Sequence, residues 1–158
     1  MTKIRGFEKI SPQQFEKDMN NFNLYEDVKL PRRATKHSAG YDIFALQDIH
    51  LKTGEMAAIP TGIKCFMQSD EWLSIHVRSG HGFKYNIRLK NQVGVIDSDY
   101  YDNVKNEGHI FVALQNEGEK DFFVKKGEAF AQAIFHKYLV ADNDFVETTR
   151  NGGFGSTG

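Results

Sequence analysis

From Lys29 onward the chain consists of short apolar runs separated by turn-forming residues, with no helical period between them. No other feature limits the fold as strongly. Closely spaced short strands bury their apolar faces in a β-sandwich or barrel. The runs are Tyr41 to Ala45, Met56 to Ile59, Ile63 to Met67, Trp72 to Val77, Val93 to Ile96, His109 to Leu114, Phe122 to Val124 and Ala131 to Val140. Pro60-Thr61-Gly62 closes the second, and Ile63, Cys65 and Met67 alternate at period two in the third. Phe145 to Thr148 reads as a last strand, and residues 3–9, anchored by Ile4 and Phe7, as a first. Ser11-Pro12 is an N-cap followed by proline at the first helical position, and Phe15 and Met19 stand four apart. That spacing predicts a short amphipathic helix over 12–20, covering one end of the barrel. The expected class is all-β, with one short helix near the N-terminus.

At 158 residues the chain fits one domain with a substantial core. Its formal net charge of -1 gives no field that would favour nucleic acid or an anionic membrane, so neither partner is expected. An anionic ligand must then be held by placed donors or by a metal ion. Cys65 is the only cysteine, which rules out an intrachain disulfide or a cysteine-based metal site and suits a reducing cytoplasm. No apolar run approaches the ~18 residues of a membrane span. The first residues lack the apolar core of a signal peptide, so the expected location is cytoplasmic.

Gly94-Val95-Ile96-Asp97-Ser98-Asp99-Tyr100 carries a strand into a turn and reads as one side of a β-hairpin. Asp97 stands at the junction, where a carboxylate either holds the turn backbone or acts as a general base. Ala39-Gly40-Tyr41-Asp42 opens a strand with a small pair, a ring and a carboxylate. Arg78-Ser79-Gly80-His81-Gly82 follows another and suits phosphate oxygens, although it lacks the lysine and spacing of a P-loop. Gln132 interrupts an apolar strand, where its amide must satisfy either a ligand or a neighbouring backbone group. Residues 150–158 form a glycine-rich arm that carries a guanidinium, Arg150, and a ring, Phe154. The six histidines show no close metal-ligand spacing, and no Gly-x-Ser-x-Gly elbow is present.

Taken in order, these segments resemble the five motifs of the trimeric dUTPases (deoxyuridine triphosphate nucleotidohydrolases). They begin at Ala39, Arg78, Gly94, Gly127 and Gly152, and the likeness covers about residues 28–158. It is similar in detail to phage and Gram-positive members. The resemblance implies a jelly-roll β domain over 1–149, a flexible arm over 150–158 closing the site, and a homotrimer in which three chains build each active site. It also implies hydrolysis of dUTP to dUMP and pyrophosphate by water attack on the α-phosphorus, limiting uracil in DNA and supplying dUMP for dTTP synthesis.

By the same resemblance Asp97 is the general base, and the Tyr100 ring packs on the deoxyribose and excludes a 2′-hydroxyl. Asn91 and the backbone of Gly94, Val95 and Ile96 read the uracil edge. Arg78, Ser79, Gly80 and Gln132 hold the phosphates. Phe154 stacks on uracil within the arm that includes Gly155, while Arg150, Ser156 and Thr157 reach the phosphates. Asp42 stands near Mg2+ through water; the triphosphate coordinates the ion, and no side chain binds it directly.

Ordering the arm's backbone costs on the order of ten kcal/mol in total. A single ring stack at ~0.5–1.5 kcal/mol cannot offset that, whereas several phosphate contacts at ~1.5–3 kcal/mol each can. The arm is therefore expected to order on a triphosphate. Three positions depart from the usual pattern: His81 after Arg78-Ser79-Gly80, Asp102 where glycine is usual, and Arg150 four rather than five residues before Phe154. Asp tolerates positive φ, so the turn at Asp102 is expected to survive. Two alternatives stand beside this reading. A dCTP deaminase shares the fold, but its family places a glutamate in the fourth-motif strand, and Ala133-Ile134-Phe135-His136 has none. A regulatory module would use the arm, or residues 8–29, to engage a regulatory protein partner.

Overall fold

The computed structural model describes residues 1–155. Its elements are β1 (Gly6–Lys9), α1 (Pro12–Met19), β2 (Arg32–Arg33), β3 (Tyr41–Phe44), β4 (Ile49–Leu51), β5 (Met56–Pro60), β6 (Ile63–Phe66) and β7 (Glu71–His76). There follow α2 (Ser79–Tyr85), β8 (Ile87–Leu89), β9 (Gly94–Asp97), β10 (Phe111–Asn116), β11 (Phe122–Val124) and β12 (Ala129–Lys137), with 3-10 turns at Phe22–Asp27 and Ser98–Tyr100. The chain is all-β, as the strand-and-turn pattern requires.

The strands form four sheets, ordered β1-β6, β5-β10-β8, β11-β4 and β2-β3-β12-β7-β9. Their inward faces meet in one core, with Phe15, Phe122, Phe130, Ile43, Leu73 and Leu114 fully buried. Alternation sets this up: β10 buries Val112, Leu114 and Asn116 and turns the residues between them outward. Asn116 is tolerated inside because its amide donates to Leu51 O and Lys120 O, both at 2.9 Å.

The N-terminal helix forms over Pro12–Met19, and Ser11 caps it by accepting from Gln14 N at 3.1 Å. Phe15 is its one buried residue, inserted into the core. Three features differ from the sequence reading. The segment from Arg78 to Gly82, expected as a loop after β7, instead runs into α2 (Ser79–Tyr85), which ends at Asn86 in the left-handed conformation. Phe145 to Thr148 forms no strand: β12 ends at Lys137, and the chain beyond it joins none of the sheets. The expected β-hairpin after Ile96 is also absent. β9 pairs only with β7, and β10 joins β5 and β8. Between them Asp102, Glu107 and Gly108 take positive φ values of 55°, 63° and 88°, winding the loop onto itself rather than back along β9.

Candidate active site

The first set of functional side chains gathers where β3, β12 and the end of β7 meet. Asp42 and Gln132 are register partners, and Gln132 is in turn opposite His76. Gln132 Nε2 donates to Val77 O at 3.1 Å, so its amide does satisfy a backbone group. Gly40 makes room for it: a Cβ there would stand 2.2 Å from Gln132 Oε1. Arg78 Nη1 donates to Ala129 O at 3.3 Å, and its Nε stands 4.0 Å from Asp42 Oδ1. Ser79 and Gly80 open α2 beside it, with free space around Gly80. The fold thus brings Asp42, Arg78, Ser79, Gly80 and Gln132 to one corner. His81 turns its ring edge-on to Phe122 at 4.9 Å, and burial followed by the Arg78 charge lowers its pKa.

The second set lies at the far edge of the same sheet. Asn91, Gly94, Val95, Ile96, Asp97 and Tyr100 line a cavity of about 810 Å³, whose remaining wall includes Ala58, Leu89, Phe111 and Val112. The cavity is largely apolar, with Asn91 and the β9 segment among its lining, which suits a planar base. Asp97 ends β9 with its carboxylate about half exposed. Tyr100 is buried by its ring, and that burial raises its pKa, keeping the phenol a neutral hydrogen-bonding group.

The arm folds back over this second set. Arg150 Nη2 donates to Asp97 Oδ2 and its Nε to Asp99 Oδ1, both at 2.6 Å. Gly153 lies against the Tyr100 ring so closely that a Cβ would stand 2.5 Å from Cε1. Phe154 meets Phe111 edge-on at 5.8 Å and stays 77% exposed, while Gly155 follows with a φ of 90°. Ser156 and Thr157 lie outside the described residues.

The two sets share one face of the five-stranded sheet but not one site. By register Asp42, Gln132 and His76 form one row, and His136, Trp72 and Asp97 another. β3 and β9 are three ladder steps apart, roughly 14 Å, and the rows are four residues apart along β7, roughly 13 Å. A single chain therefore keeps its phosphate-type donors well away from Asp97.

Sequence reasoning passed over Phe111, which lines the cavity, and the polar loop residues Asn103, Asn106 and His109 behind Tyr100. Clustered asparagines around a glutamate and a glycine after the third motif were the available signal. Among the described residues no group of three His, Cys, Asp or Glu converges to hold a metal ion. Cys65 is buried, which pushes its thiol up to about 12 and leaves it inert. Among the described residues no helix is long and apolar enough to cross a membrane.

The family model for dUTPase matches residues 26–158. The chain is 42% identical over 158 residues to the deoxyuridine 5′-triphosphate nucleotidohydrolase of Lactococcus lactis, covering 99% of each. It is also similar to the crystal structure of a dUTPase from Streptococcus mutans, with a TM-score of 0.70 and 38% identity, over 87% of this chain and 99% of that one. A mutant dUTPase from phage phi11 of S. aureus, whose structure reveals the coordination of a structural Mg(II) ion, shares the fold at a TM-score of 0.68 and 18% identity. That match covers 92% of this chain and 98% of that one.

Proposed function

The chain belongs to the dUTPase family and converts dUTP to dUMP and pyrophosphate; we propose that Asp97 is its general base and that three copies build each site. The observation that carries the trimer is the separation of the two sets. Asp97 lies too far from Arg78 and Gln132 of its own chain to serve phosphates held there. A second copy that presents its 91–100 cavity to this corner completes the constellation. Residues 138–149 support the reading as well. Leu139, Val140, Phe145 and Val146 are exposed on an extended segment, as suits a strap laid across a neighbour. Residues 1–149 then form the β domain and 150–158 the arm that closes a third copy's site.

In this assembly uracil enters the cavity beside Asn91, with the backbone of Gly94, Val95 and Ile96 presenting a base-pair-like edge. The Tyr100 ring covers the deoxyribose face and leaves no space for a 2′-hydroxyl. Arg78, Ser79, Gly80 and Gln132 hold phosphate oxygens by charge-assisted and amide hydrogen bonds. Asp97 orients a water and takes its proton as the oxygen attacks the α-phosphorus; the bond to the bridging oxygen breaks and pyrophosphate leaves. Phe154, with Gly155, stacks on the base, and Arg150, Ser156 and Thr157 reach the phosphates.

The substrate brings about four negative charges to a chain of net charge -1, so a divalent cation is needed to offset the repulsion. The donor set suits a Mg2+ ion carried by the triphosphate rather than by a protein cage. Asp42, partly exposed and 4.0 Å from Arg78, would accept from a water bound to that ion. When bound, Mg2+ neutralises charge on the phosphates. A cytoplasmic location and the absence of nucleic-acid or membrane partners belong to the same reading.

Pyrophosphate release from dUTP by the wild type and by Asp97→Asn tests the assignment. A loss of about a thousandfold in the variant is expected. Undiminished release by the variant would remove Asp97 from the mechanism, and no release by the wild type would remove the activity.

A further inference from the structure

Tyr100 is held at its far end by residues outside its own strand. Its phenol donates to His109 O at 2.6 Å and accepts from Asn106 Nδ2 at 2.9 Å. Asn106 is fixed in turn, since its Oδ1 accepts from Asn103 Nδ2 at 2.7 Å and from Gly108 N at 3.1 Å. His109 is fully buried and gripped from two sides. Its Nε2 lies 2.9 Å from Gly62 N, an obligatory donor, so Nε2 accepts and the ring proton sits on Nδ1. That Nδ1–H donates at 2.6 Å to Asp18 Oδ2, on α1 and 91 residues earlier in the chain.

Further contacts join the same two regions. Ser11 donates to Glu107 from its backbone N at 2.6 Å and from its hydroxyl at 2.5 Å. Tyr101 OH donates to Glu8 Oε2 at 2.8 Å. Lys64 joins the loop's own carboxylates, 2.5 Å from Asp102 Oδ1 and 3.1 Å from Glu107 Oε2. β1 and α1 therefore clasp the 100–109 loop at residues 8, 11 and 18.

We propose that Asp18, His109 and Asn106 are positioning residues for the sugar-discriminating face of Tyr100, so that α1 belongs to the specificity apparatus. The inference rests on the sugar-facing role given to Tyr100 above. The ring is attached to the chain at Cβ and hydrogen-bonded at its opposite end, so neither end can move alone. Shifting His109 would leave the Gly62 amide or the Asp18 carboxylate without its buried partner. A ring whose hydroxyl end is released can swing aside and admit the extra oxygen of a ribonucleoside triphosphate.

The test compares kcat/KM for dUTP and UTP in the full-length wild type, Asp18→Ala, Asp18→Asn and Asn106→Asp. Asn106→Asp keeps the acceptor used by Asn103 and Gly108, but it replaces the donor to Tyr100 by a carboxylate oxygen, so the phenol must move off or turn its proton away from His109 O. The dUTP-to-UTP ratio is expected to fall about tenfold in Asp18→Ala and in Asn106→Asp, mainly through a lower KM for UTP. Asp18→Asn, whose amide oxygen still accepts from His109, restores most of the ratio. A merely structural role would reduce both substrates in proportion, and an unchanged ratio in Asn106→Asp overturns the proposal even where Asp18→Ala does not fold. A wild type inactive on dUTP overturns the whole reading of the site, whereas an active wild type with unchanged variant ratios overturns the positioning alone.

Discussion

Arg150 Nη2 and Asp97 Oδ2 stand 2.6 Å apart, so in the single chain the arm's guanidinium occupies the carboxylate proposed as general base. The same guanidinium reaches Asp99 at 2.6 Å. Both carboxylates are more than half exposed, and ion pairs of that kind contribute about 0–1 kcal/mol. A triphosphate offers more charge and more acceptors, so under the proposed function it would draw the arginine from them.

Arg150→Ala should accordingly raise KM for dUTP about tenfold, the loss expected for one charge-assisted hydrogen bond. Its unfolding midpoint should stay close to wild type. Steady-state kinetics beside thermal melts check this, and a lowered midpoint with unchanged KM would make Arg150 structural. Asp99→Asn, which removes one of the guanidinium's two anionic partners and leaves Asp97 in place, should leave kcat/KM within about twofold.

Gly40→Ala places a methyl carbon 2.2 Å from Gln132 Oε1, far inside contact distance. The amide must swing off Val77 O and away from the corner it shares with Asp42 and Arg78. Displacing a positioning group by about an ångström costs on the order of a hundredfold in kcat/KM. Wild-type kinetics in this variant would exclude Gln132 from the site.

Phe15→Ala removes the one core anchor of α1. A loss of about 3–5 kcal/mol is expected from the deleted contacts and the cavity left behind. Urea unfolding reads it directly, and a loss below about 1 kcal/mol would mean that the helix is not docked through this ring.

Stability should also depend on pH through His109. Burial lowers its pKa more than the Asp18 hydrogen bond and charge raise it. The unfolded chain then binds more protons below about 6.5, so stability falls as pH drops through that value and levels off once the folded form also protonates. His76 and His81, both lowered first by burial, add to the same slope. Glu107 acts lower on the scale: burial raises its pKa, but the Ser11 and Lys64 hydrogen bonds outweigh this and leave it depressed. Its contribution is present above about 4.5 and is lost as pH falls through the depressed value. Urea midpoints between about pH 2 and 8 measure both windows, and His109→Gln should flatten the upper one.

What the sequence determined by itself is what local spacing encodes. Alternation and turn residues set the strands and the all-β class. Ser11-Pro12 set the start of α1, and the order of five short motifs set the family and pointed to Asp97 and Tyr100. Asp102, read as a residue able to hold a left-handed turn, does so at a φ of 55°.

Tertiary structure alone decided which edges meet. Strand propensity at Phe145 to Thr148 produced no strand, since a strand needs a partner that local sequence does not supply, and β9 found β7 rather than its own successor. Only the folded chain set Gly40 against Gln132 and brought Asp18 to His109 across 91 residues. Hydrogen-bond satisfaction of a buried imidazole depends on what the rest of the chain delivers to it, and no window of sequence around His109 contains Gly62 or Asp18.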